Sequence, residues 1–208
     1  MPDQLILFTR FPEPGRVKTR LIPALGAEGA ADLHRQLTEH CVGRLSAALS
    51  DTAPALQIFY SGGSNKLMGR WFPEIPAVQQ QGLTLGRRMA AAVSHVRTRG
   101  GQRILLFGAD CPGLDKDLIH NALEMLTNHD LALGPTFDGG YYLLGIGPSC
   151  TTADLNTLLT DIPWGTAEVL EQTLARAKAA GCSYNLLPTL HDIDRPEDLE
   201  HFHHYTCS

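Results

Sequence analysis

Short apolar runs alternate along this chain with longer segments of helical hydrophobic period, and this alternation limits the possible folds more than any other feature. The run at residues 104–107 is unbroken, as expected of a central strand that helices cover on both faces. Residues 85–96 before it and 118–126 after it carry apolar side chains at helical spacing. The fold class is therefore predicted to be α/β, with a mostly parallel sheet in a single domain over residues 1–208.

The same patterns place the remaining elements. Further strands are expected at residues 5–8, 55–60, 131–134, 141–146 and 184–187. Further helices are expected at residues 33–45, 155–159 and 167–180, followed by a final helix that Asp194 caps. Residues 71–76 contain two prolines and are expected to be irregular. Because ligands of such sheets bind beyond the carboxyl ends of the strands, we expect a site where the loops after these strands converge.

Charge and cysteine usage exclude several classes of protein. A formal net charge of -5 argues against a nucleic-acid-binding protein. The five cysteines are scattered and never spaced as C-x-x-C, which predicts reduced thiols rather than disulfides or a zinc ribbon. No apolar run approaches the roughly 18 residues of a membrane span. We therefore expect a cytoplasmic protein without a membrane span, and the oligomeric state stays open because periodicity does not separate a subunit interface from core.

A cationic loop follows the first predicted strand. Residues 8–21 contain two prolines and Gly15, which restrict the backbone and let it approach a ligand closely. The basic residues of this loop are Arg10, Arg16, Lys18 and Arg20. Because the protein as a whole is acidic, this concentration of cations favours phosphate binding over the alternative of a solvated basic loop. No glycine adjoins Lys18 and no G-x-G-x-x-G follows the strand, which excludes a triphosphatase phosphate loop and an ordinary dinucleotide site.

Aspartates near predicted strand ends are the candidate metal ligands. Asp110 follows the strand at 104–107, and Pro112 stiffens the chain behind it, so it is placed to hold Mg²⁺ or Mn²⁺ between substrate phosphates, although a capping role is the alternative. Asp138 precedes two glycines and is interpreted first as a turn residue, with sugar or metal binding as the alternative. Asp192 is the favoured second metal ligand, because Asp194 is better explained as a helix cap.

Several motifs together resemble a known family. The motifs lie at residues 11–21, 82–89, 108–112, 138–143 and 192–194. They resemble a bacterial family of small glycosyltransferase-A-fold proteins in the nucleotide-diphospho-sugar transferase superfamily, described as nucleotide-diphospho-sugar transferases or arsenosugar-biosynthesis glycosyltransferases. The chain is also similar, more distantly, to molybdenum-cofactor and phospholactate nucleotidyltransferases. The resemblance covers nearly the whole chain in the expected order.

The resemblance implies a three-layer αβα sandwich around a mixed, mostly parallel sheet. It implies that the loop through Lys18 contacts nucleotide phosphates, that Gly82 and Arg88 lie near the nucleotide, and that Asp110 takes the metal-binding position. The residues implied for the acceptor or sugar side are Asp138, Gly139, Gly140 and Tyr141. Glycosyltransferases of this fold often carry an Asp-x-Asp pair. This chain has Pro112 at the second position, so Asp110 needs a partner such as Asp192.

These observations lead to the hypothesis of a metal-dependent transferase that uses a nucleotide-activated donor and a small-molecule acceptor. Lys18 and Asp110 are the predicted catalytic residues, and Asp110 with Asp192 would bind Mg²⁺ or Mn²⁺. Lys18 and the loop arginines would neutralise charge as a phosphate oxygen leaves. A glycosyltransferase acting on a nucleotide sugar is the leading version, and the alternatives are a nucleotidyltransferase acting on a nucleoside triphosphate and a nucleotide-binding module without turnover.

Overall fold

The computed structural model describes residues 3–46 and 55–206. Its strands are β1 (Gln4–Arg10), β2 (Ala55–Ser61), β3 (Ala77–Gln79), β4 (Ile104–Gly108), β5 (Leu131–Pro135), β6 (Tyr141–Ile146) and β7 (Tyr184–Leu186). Its helices are α1 (Ile22–Ser46), α2 (Asn65–Trp71), α3 (Leu85–Arg97), α4 (Lys116–Met125), α5 (Thr152–Leu159), α6 (Val169–Ala179) and α7 (Leu199–Thr206). Short 3-10 helices at Thr19–Leu21 and Pro196–Asp198 precede α1 and α7.

All seven of these strands join one sheet in the order β3-β2-β1-β4-β6-β5-β7. Parallel pairs connect β2 to β3, β1 to both β2 and β4, and β5 to β7. Strand β6 runs antiparallel to its two neighbours, β4 and β5. The predicted mixed, mostly parallel sheet is confirmed, and the carboxyl ends of the other six described strands share one edge.

Helices cover both faces of the sheet because successive strand residues point to opposite sides. On one face, Leu5 and Leu7 of β1 join a buried cluster with residues of α1, α2 and α4. On the other face, Ile6 joins a second cluster with residues of α3, α5 and α6. The central strand β4 contributes to both clusters in the same alternating way. This arrangement is the predicted three-layer αβα sandwich.

Some elements differ from the sequence-based prediction. Helix α1 begins at Ile22 and bends at Gly26, whose φ of 71° is left-handed, so the helical period is regular only beyond the bend. Neither α2 nor β3 was expected, because α2 has seven residues with only Met68 buried and β3 has three residues. Such short segments show no clear period. Asp115 caps α4, because its carboxylate accepts from the backbone N–H groups of Asp117 and Leu118.

A third buried cluster fixes the chain around the carboxyl edge of the sheet. It joins Leu21, at the end of the cationic loop, to Ile193 and to Phe202 of α7. Both Leu21 and Ile193 are fully buried.

Among the helices that the structure describes, none combines the length and the hydropathy that a membrane crossing requires.

Candidate functional site

Two adjoining cavities open at the carboxyl edge of the sheet, where the predicted loops meet. The larger has a volume of about 470 Å³, and its charged lining residues are Arg10, Lys18, Arg20, Arg88, Asp110 and Asp194. The smaller has a volume of about 150 Å³ and contains the carboxylates of Asp110, Asp138 and Asp192. We call the larger one the cationic cavity and the smaller one the acidic pocket. Asp110 lines both, so it lies at their junction.

The cationic loop contributes only part of its charge to the larger cavity. Arg10 lines the cavity, and its Nη1 donates to the backbone oxygen of Arg16 at 3.4 Å. The Arg16 side chain is 79% exposed and pairs with Glu13 at 3.3 Å, so it stabilises the loop outside the cavity lining. Gly15 has a φ of 78°, which explains a glycine in this turn. Of the loop residues predicted to bind phosphate, the structure brings Arg10, Lys18 and Arg20 together and leaves Gly15 and Arg16 outside the lining.

The Lys18 ammonium group bonds to protein atoms and is buried from solvent. Its side chain is 3% exposed, and Nζ lies 2.7 Å from Asp110 Oδ1. Nζ also donates to the backbone oxygen of Ile193 at 2.5 Å. The residue adopts a left-handed backbone conformation, with a φ of 46°, which is uncommon without glycine and costs roughly 1–2 kcal/mol. The loop is thus bent so that the ammonium group reaches the Asp110 carboxylate.

Asp110 has one protected and one accessible carboxylate oxygen. Oδ1 is buried against Lys18, whereas the side chain as a whole is 47% exposed, so the exposure lies on the rest of the group, including Oδ2. Burial alone would raise the pKa of Asp110, but the Lys18 ammonium, together with His34 and Arg10, lowers it below the usual value. Asp110 therefore carries a negative charge at neutral pH and presents an oxygen that is available to a ligand.

Asp192 contributes a second carboxylate, and its pKa is shifted in the opposite direction to that of Asp110. Burial, with further contributions from the negative charges of Asp138 and Asp110, raises the pKa of Asp192 to about 6. The sequence predicted that Asp192 lies beside Asp110, and both residues line the acidic pocket. A cation bound there would relieve the repulsion among these carboxylates.

Asp138 is engaged in the turn between β5 and β6. Its Oδ1 accepts from Thr136 Oγ1 at 2.6 Å and from the Gly140 backbone N–H at 3.0 Å. This geometry agrees with the turn interpretation. The carboxylate nonetheless faces the acidic pocket, together with Gly140 and Tyr141. Because one oxygen serves the turn, only the other is free for a ligand.

Gly139 and Tyr141 shape the turn from within. Gly139 has a φ of 88°, and a Cβ at this position would lie 2.2 Å from the backbone oxygen of Ala167. The Tyr141 ring packs edge-on against Trp164, with centroids 6.2 Å apart. Burial raises the pKa of the Tyr141 hydroxyl far above its usual value. Gly139 is thus absent from the pocket lining and acts through close packing.

Residues 192–194 are attached to Asp110 through their backbone. The buried Ile193 donates its N–H to the Asp110 backbone oxygen at 2.9 Å. On either side of it, Asp192 faces the acidic pocket and Asp194 faces the cationic cavity. The segment therefore contributes one carboxylate to each of the two adjoining cavities.

The prediction that Asp194 caps the final helix is wrong. The cap position of the 3-10 helix before α7 is Arg195, and the Asp198 carboxylate accepts from the N–H groups of Asp194 and Arg195. The Asp194 carboxylate is instead bound by Arg20 at 2.7 Å. Turn formation by Asp198 leaves Asp194 free to enter the cationic cavity.

Gly82 and Arg88 form a separate contact at the rim of the cationic cavity. Arg88 Nε donates to the Gly82 backbone oxygen at 2.9 Å. Arg88 lines the cavity, whereas Gly82 does not. Of this predicted pair, therefore, only the arginine is in a position to face a ligand, and Gly82 shapes the loop.

Two cavity residues were not found by sequence reasoning. His34 is buried, and its Nε2 lies 3.0 Å from the Arg10 backbone oxygen and 3.3 Å from Thr9 Oγ1. Burial lowers the pKa of His34, and the Nε2–H group of the ring donates to the Arg10 backbone oxygen. A signal was present, because His34 and Thr38 are polar residues four apart beside the apolar stripe of α1.

Gln80 is the second residue that the sequence did not single out. Its Nε2 donates to the backbone oxygens of Phe59 at 2.9 Å and Thr9 at 3.3 Å. These two acceptors fix the amide orientation and leave Oε1 as an acceptor in a residue that lines the cationic cavity. Gln80 directly follows β3, and the sequence did not predict this position because that strand has only three residues.

The donor set at the Asp110 junction fits a hard divalent cation only in part. The charged side-chain donors there are carboxylate oxygens, which Mg²⁺ and Mn²⁺ prefer. Within residues 3–46 and 55–206, no three His, Cys, Asp or Glu side chains are grouped so that they could hold a metal ion by themselves. Asp110 and Asp192 therefore suit a cation whose remaining ligands come from substrate and water.

Comparison with known proteins agrees with the fold. Residues 44–166 match the family described as "Uncharacterized protein conserved in bacteria (DUF2064)". The crystal structure of a protein from Desulfovibrio desulfuricans G20, provisionally named a nucleotide-diphospho-sugar transferase, is 34% identical in sequence, with a TM-score of 0.84. That alignment covers 94% of this chain and 84% of the other. No curated protein matches the chain in sequence.

Two more distant structures share the architecture. CMP:2-keto-3-deoxy-manno-octonic acid synthetase complexed with CTP has a TM-score of 0.61 at 9% identity, over 100% of this chain and 99% of that one. The 4-diphosphocytidyl-2C-methyl-D-erythritol synthase of Anaerococcus prevotii DSM 20548 has a TM-score of 0.63 at 9% identity, over 99% and 97%. At this identity the likeness shows the fold alone, and the predicted nucleotide-diphospho-sugar transferase fold is confirmed.

Proposed function

The chain belongs to the DUF2064 family of bacterial proteins, and from this premise and the geometry of its site we propose that it is a transferase that uses a nucleotide-activated donor. The observation that carries the proposal is the position of Asp110, between a cavity rich in arginine and lysine and a pocket of carboxylates. A diphosphate bridging such a junction would meet cations on one side and a carboxylate-held metal on the other. The name of the relative from Desulfovibrio desulfuricans supports the same class of reaction.

Asp110 and Asp192 are the proposed ligands of Mg²⁺ or Mn²⁺. Asp110 offers its accessible oxygen, and Asp192 has a neighbouring negative charge that a cation would balance. When bound, the ion would neutralise part of the diphosphate charge. The ligand set would be completed by phosphate oxygens and water, as is usual for Mg²⁺.

The protein residues supply positioning and charge. Arg10 and Arg88 present guanidinium groups to the cavity and would bind the diphosphate oxygens as charge develops on them. Arg20 also lines the cavity, but it is shared with Asp194 at 2.7 Å. Lys18 fixes Asp110 and the 192–194 segment, and its ammonium would add to the positive potential. No covalent intermediate is required for this chemistry.

We propose a nucleotide sugar as the donor and a small molecule as the acceptor. The pocket of Asp138, Gly140 and Tyr141 opens beside Asp110 and is the proposed acceptor or sugar side. Nucleotidyl transfer from a nucleoside triphosphate is the second candidate, favoured by the shared fold of the two synthetases that handle cytidine nucleotides. The arsenosugar, molybdenum-cofactor and phospholactate associations stay predictions.

A thermal-shift screen separates these donors. The full chain is heated with UDP-, GDP- and CDP-sugars and with the four ribonucleoside triphosphates, each with Mg²⁺, with Mn²⁺ and with a chelator. We expect a nucleotide sugar to raise the melting temperature in the presence of metal, because a ligand at 100 times its Kd stabilises a protein by about 2.7 kcal/mol. The Asp192→Asn variant should lose the metal-dependent part of the shift. Asp117→Asn, at an exposed position on α4, is the matched control and should keep it.

Three outcomes of the screen would contradict a transferase that uses a nucleotide sugar. Stabilisation by a triphosphate and not by any nucleotide sugar would select nucleotidyl transfer. Binding without product formation from any bound donor, assayed with a panel of alcohol and sugar acceptors, would select the binding module. If neither nucleotides nor nucleotide sugars stabilise the chain under any condition, the proposed function is wrong.

A further inference from the structure

Cys150 and Cys182 are neighbouring free thiols at the edge of the sheet opposite the cationic cavity. Cys150 lies between the end of β6 and α5, and Cys182 lies between α6 and the start of β7. Because β6 runs antiparallel to its neighbours, its end meets the beginning of β7 at this edge. The Cys182 thiol is hydrogen-bonded to Cys150, and both side chains pack in the cluster beneath α5 and α6. The proposed transferase chemistry uses neither of them.

One carboxylate ties together the two segments that carry these thiols. The residues beside the cysteines are Ser149 and Ser183, and both bind Asp130. Ser149 Oγ donates to Asp130 Oδ1. Ser183 donates its backbone N–H to Asp130 Oδ2 at 2.8 Å and its hydroxyl to the same oxygen at 2.7 Å. The approach of the two segments is therefore fixed by contacts in which the sulfur atoms take no part.

The backbone next to each cysteine is also ordered. After Cys150, the side chain of Thr151 caps α5, and the Asp154 carboxylate accepts from the Thr151 backbone N–H in return. The Cys182 backbone N–H donates to the Ala177 oxygen at 2.9 Å, at the end of α6. The folded chain thus holds the two thiols as neighbours, although 31 residues separate them in the sequence.

The two thiols differ in their access to solvent. Cys150 is 1% exposed, whereas Cys182 is partly exposed. Burial raises the pKa of the Cys150 thiol to about 12 and also raises that of Cys182. Because the thiolate is the reactive form, both cysteines react slowly at neutral pH. An oxidant from solvent reaches Cys182 first, and Cys150 is placed to react with it from within the protein.

We propose that Cys150 and Cys182 form a reversible disulfide when the protein meets a low-molecular-weight disulfide. The Cys182 thiolate attacks one sulfur of this oxidant and releases the other half as a thiolate. The Cys150 thiolate then attacks Cys182 Sγ in the mixed disulfide and releases the second half. The two released thiolates take up the two protons that the cysteines lose. Two protein thiols are thus oxidised, and one small disulfide is reduced to two thiols.

The disulfide would close the segment of residues 150–182, which contains α5 and α6. A covalent link across this segment restricts the unfolded chain more than the folded one, in which the thiols are already neighbours. The oxidised protein should therefore be the more stable form. This site is independent of the proposed function, because it lies at the other edge of the sheet and needs no nucleotide.

Oxidation of the full chain by glutathione disulfide at pH 8.5 tests the proposal. Free thiols are then alkylated, and the protein is digested with trypsin. We expect a cross-link between the peptides of residues 117–176 and 179–208, which contain Cys150 and Cys182. The second peptide also contains Cys207, so the Cys207→Ser variant is the matched control and should form the same cross-link. The melting temperature should rise by roughly 5 °C or more on oxidation and return with dithiothreitol.

Three variants separate the two steps. Cys150→Ala should keep glutathione on Cys182, because no second thiol can release it. Cys182→Ala should form neither the adduct nor the cross-link. Asp130→Asn should slow the closing step several-fold and let the glutathione adduct accumulate, because an amide NH₂ cannot accept a hydrogen bond from the second serine.

Several results would overturn the inference, and the wild-type measurements alone are sufficient for this. Glutathione that stays on wild-type Cys182 would show that Cys150 cannot reach it. A cross-link that Cys207→Ser abolishes would assign the bridge to another pair. A melting temperature that is unchanged or lower after oxidation would show that the folded chain does not accommodate the disulfide. Unmodified Cys150 and Cys182 after prolonged oxidation would exclude the pair as a redox site.

Discussion

Lys18 is a buried cation whose ion pair couples the stability of the chain to the charges of the proposed site. Its ammonium holds Asp110 Oδ1 and the Ile193 backbone oxygen, two groups that belong to different loops. A charge in this position cannot be removed without leaving the partner carboxylate uncompensated. Lys18 is therefore a positioning residue first, and its contribution to phosphate binding stays a prediction.

We expect Lys18→Met to lower the free energy of unfolding by roughly 1–3 kcal/mol. The value lies below the roughly 3–5 kcal/mol of a fully buried pair, because nearly half of the Asp110 side chain reaches solvent. Urea denaturation measures the effect. Adding Asp110→Asn should recover most of the loss, because the double variant has no unpaired buried charge.

Arg20→Met is the matched comparison for Lys18→Met. It breaks an ion pair with Asp194 whose side chains are 50% and 33% exposed, so the loss should be at most about 1 kcal/mol. Equal losses in the two variants would contradict a structural role for Lys18. Nucleotide affinity in Lys18→Ala tests the separate phosphate role, and an unchanged affinity would exclude that role.

The pKa of Asp192 gives the molecule a predictable dependence on pH. The folded pKa is about 6 and the unfolded value is near 3.9. Between these values the folded state binds more protons, so the free energy of unfolding falls as the pH rises through this range. Removing the charge with Asp192→Asn should therefore stabilise the metal-free protein at pH 7.5, by roughly 1–2 kcal/mol after allowance for solvent screening.

Thermal denaturation of Asp192→Asn and wild type at pH 7.5 and pH 4, with a chelator present, measures this difference. The advantage of the variant should shrink toward pH 4, where the wild-type carboxylate is protonated. An advantage that is equally large at both pH values would have a cause other than charge.

The turn between β5 and β6 combines contacts within the turn with a contact to a distant segment of the chain. Thr136 and Gly140 bond to the Asp138 carboxylate, which any sequence with this turn pattern provides. The close approach of Gly139 to the Ala167 backbone, by contrast, depends on the loop before α6. The first relation is local and was predicted from the sequence, whereas the second joins segments that are distant along the chain.

We expect Gly139→Ala to destabilise the protein by at least roughly 2–3 kcal/mol. The added Cβ would lie 2.2 Å from a backbone oxygen that cannot move as a side chain could. Gly181→Ala is the control, since Gly181 also has a positive φ, of 71°, but has open space around its Cβ position. That variant should lose only about 1 kcal/mol from backbone strain. Chemical denaturation compares the two, and similar losses would show that strain and not packing explains Gly139.

Among the elements, length decided which were predictable. Helix α3 and strand β4 have clear periods and were predicted close to their observed ends. Helix α2 and strand β3 are too short for a period, and β3 takes its place only because β2 offers it a parallel edge. The position of Gln80 at the cavity follows from that pairing, so the sequence did not predict it either.

At the scale of the whole molecule, an acidic protein concentrates positive charge at one edge of its sheet. The net charge is -5, yet Arg10, Lys18, Arg20 and Arg88 line one cavity. Arg88 is separated by more than 60 residues from the loop that provides the other three. A single cationic site arises because parallel strands place the loops that follow them at the same edge.

The sequence by itself determined the α/β class, the mostly parallel sheet and the edge at which a ligand would bind, because apolar period and turn chemistry are local properties of the chain. Only the tertiary structure decided how the charges of that edge are shared. It turned Lys18 inward onto Asp110, paired Arg20 with Asp194 and gave Asp192 a carboxylate environment. The reason is physical: ion pairing and burial depend on distances between segments that are remote in sequence, and these distances exist only after the sheet has assembled.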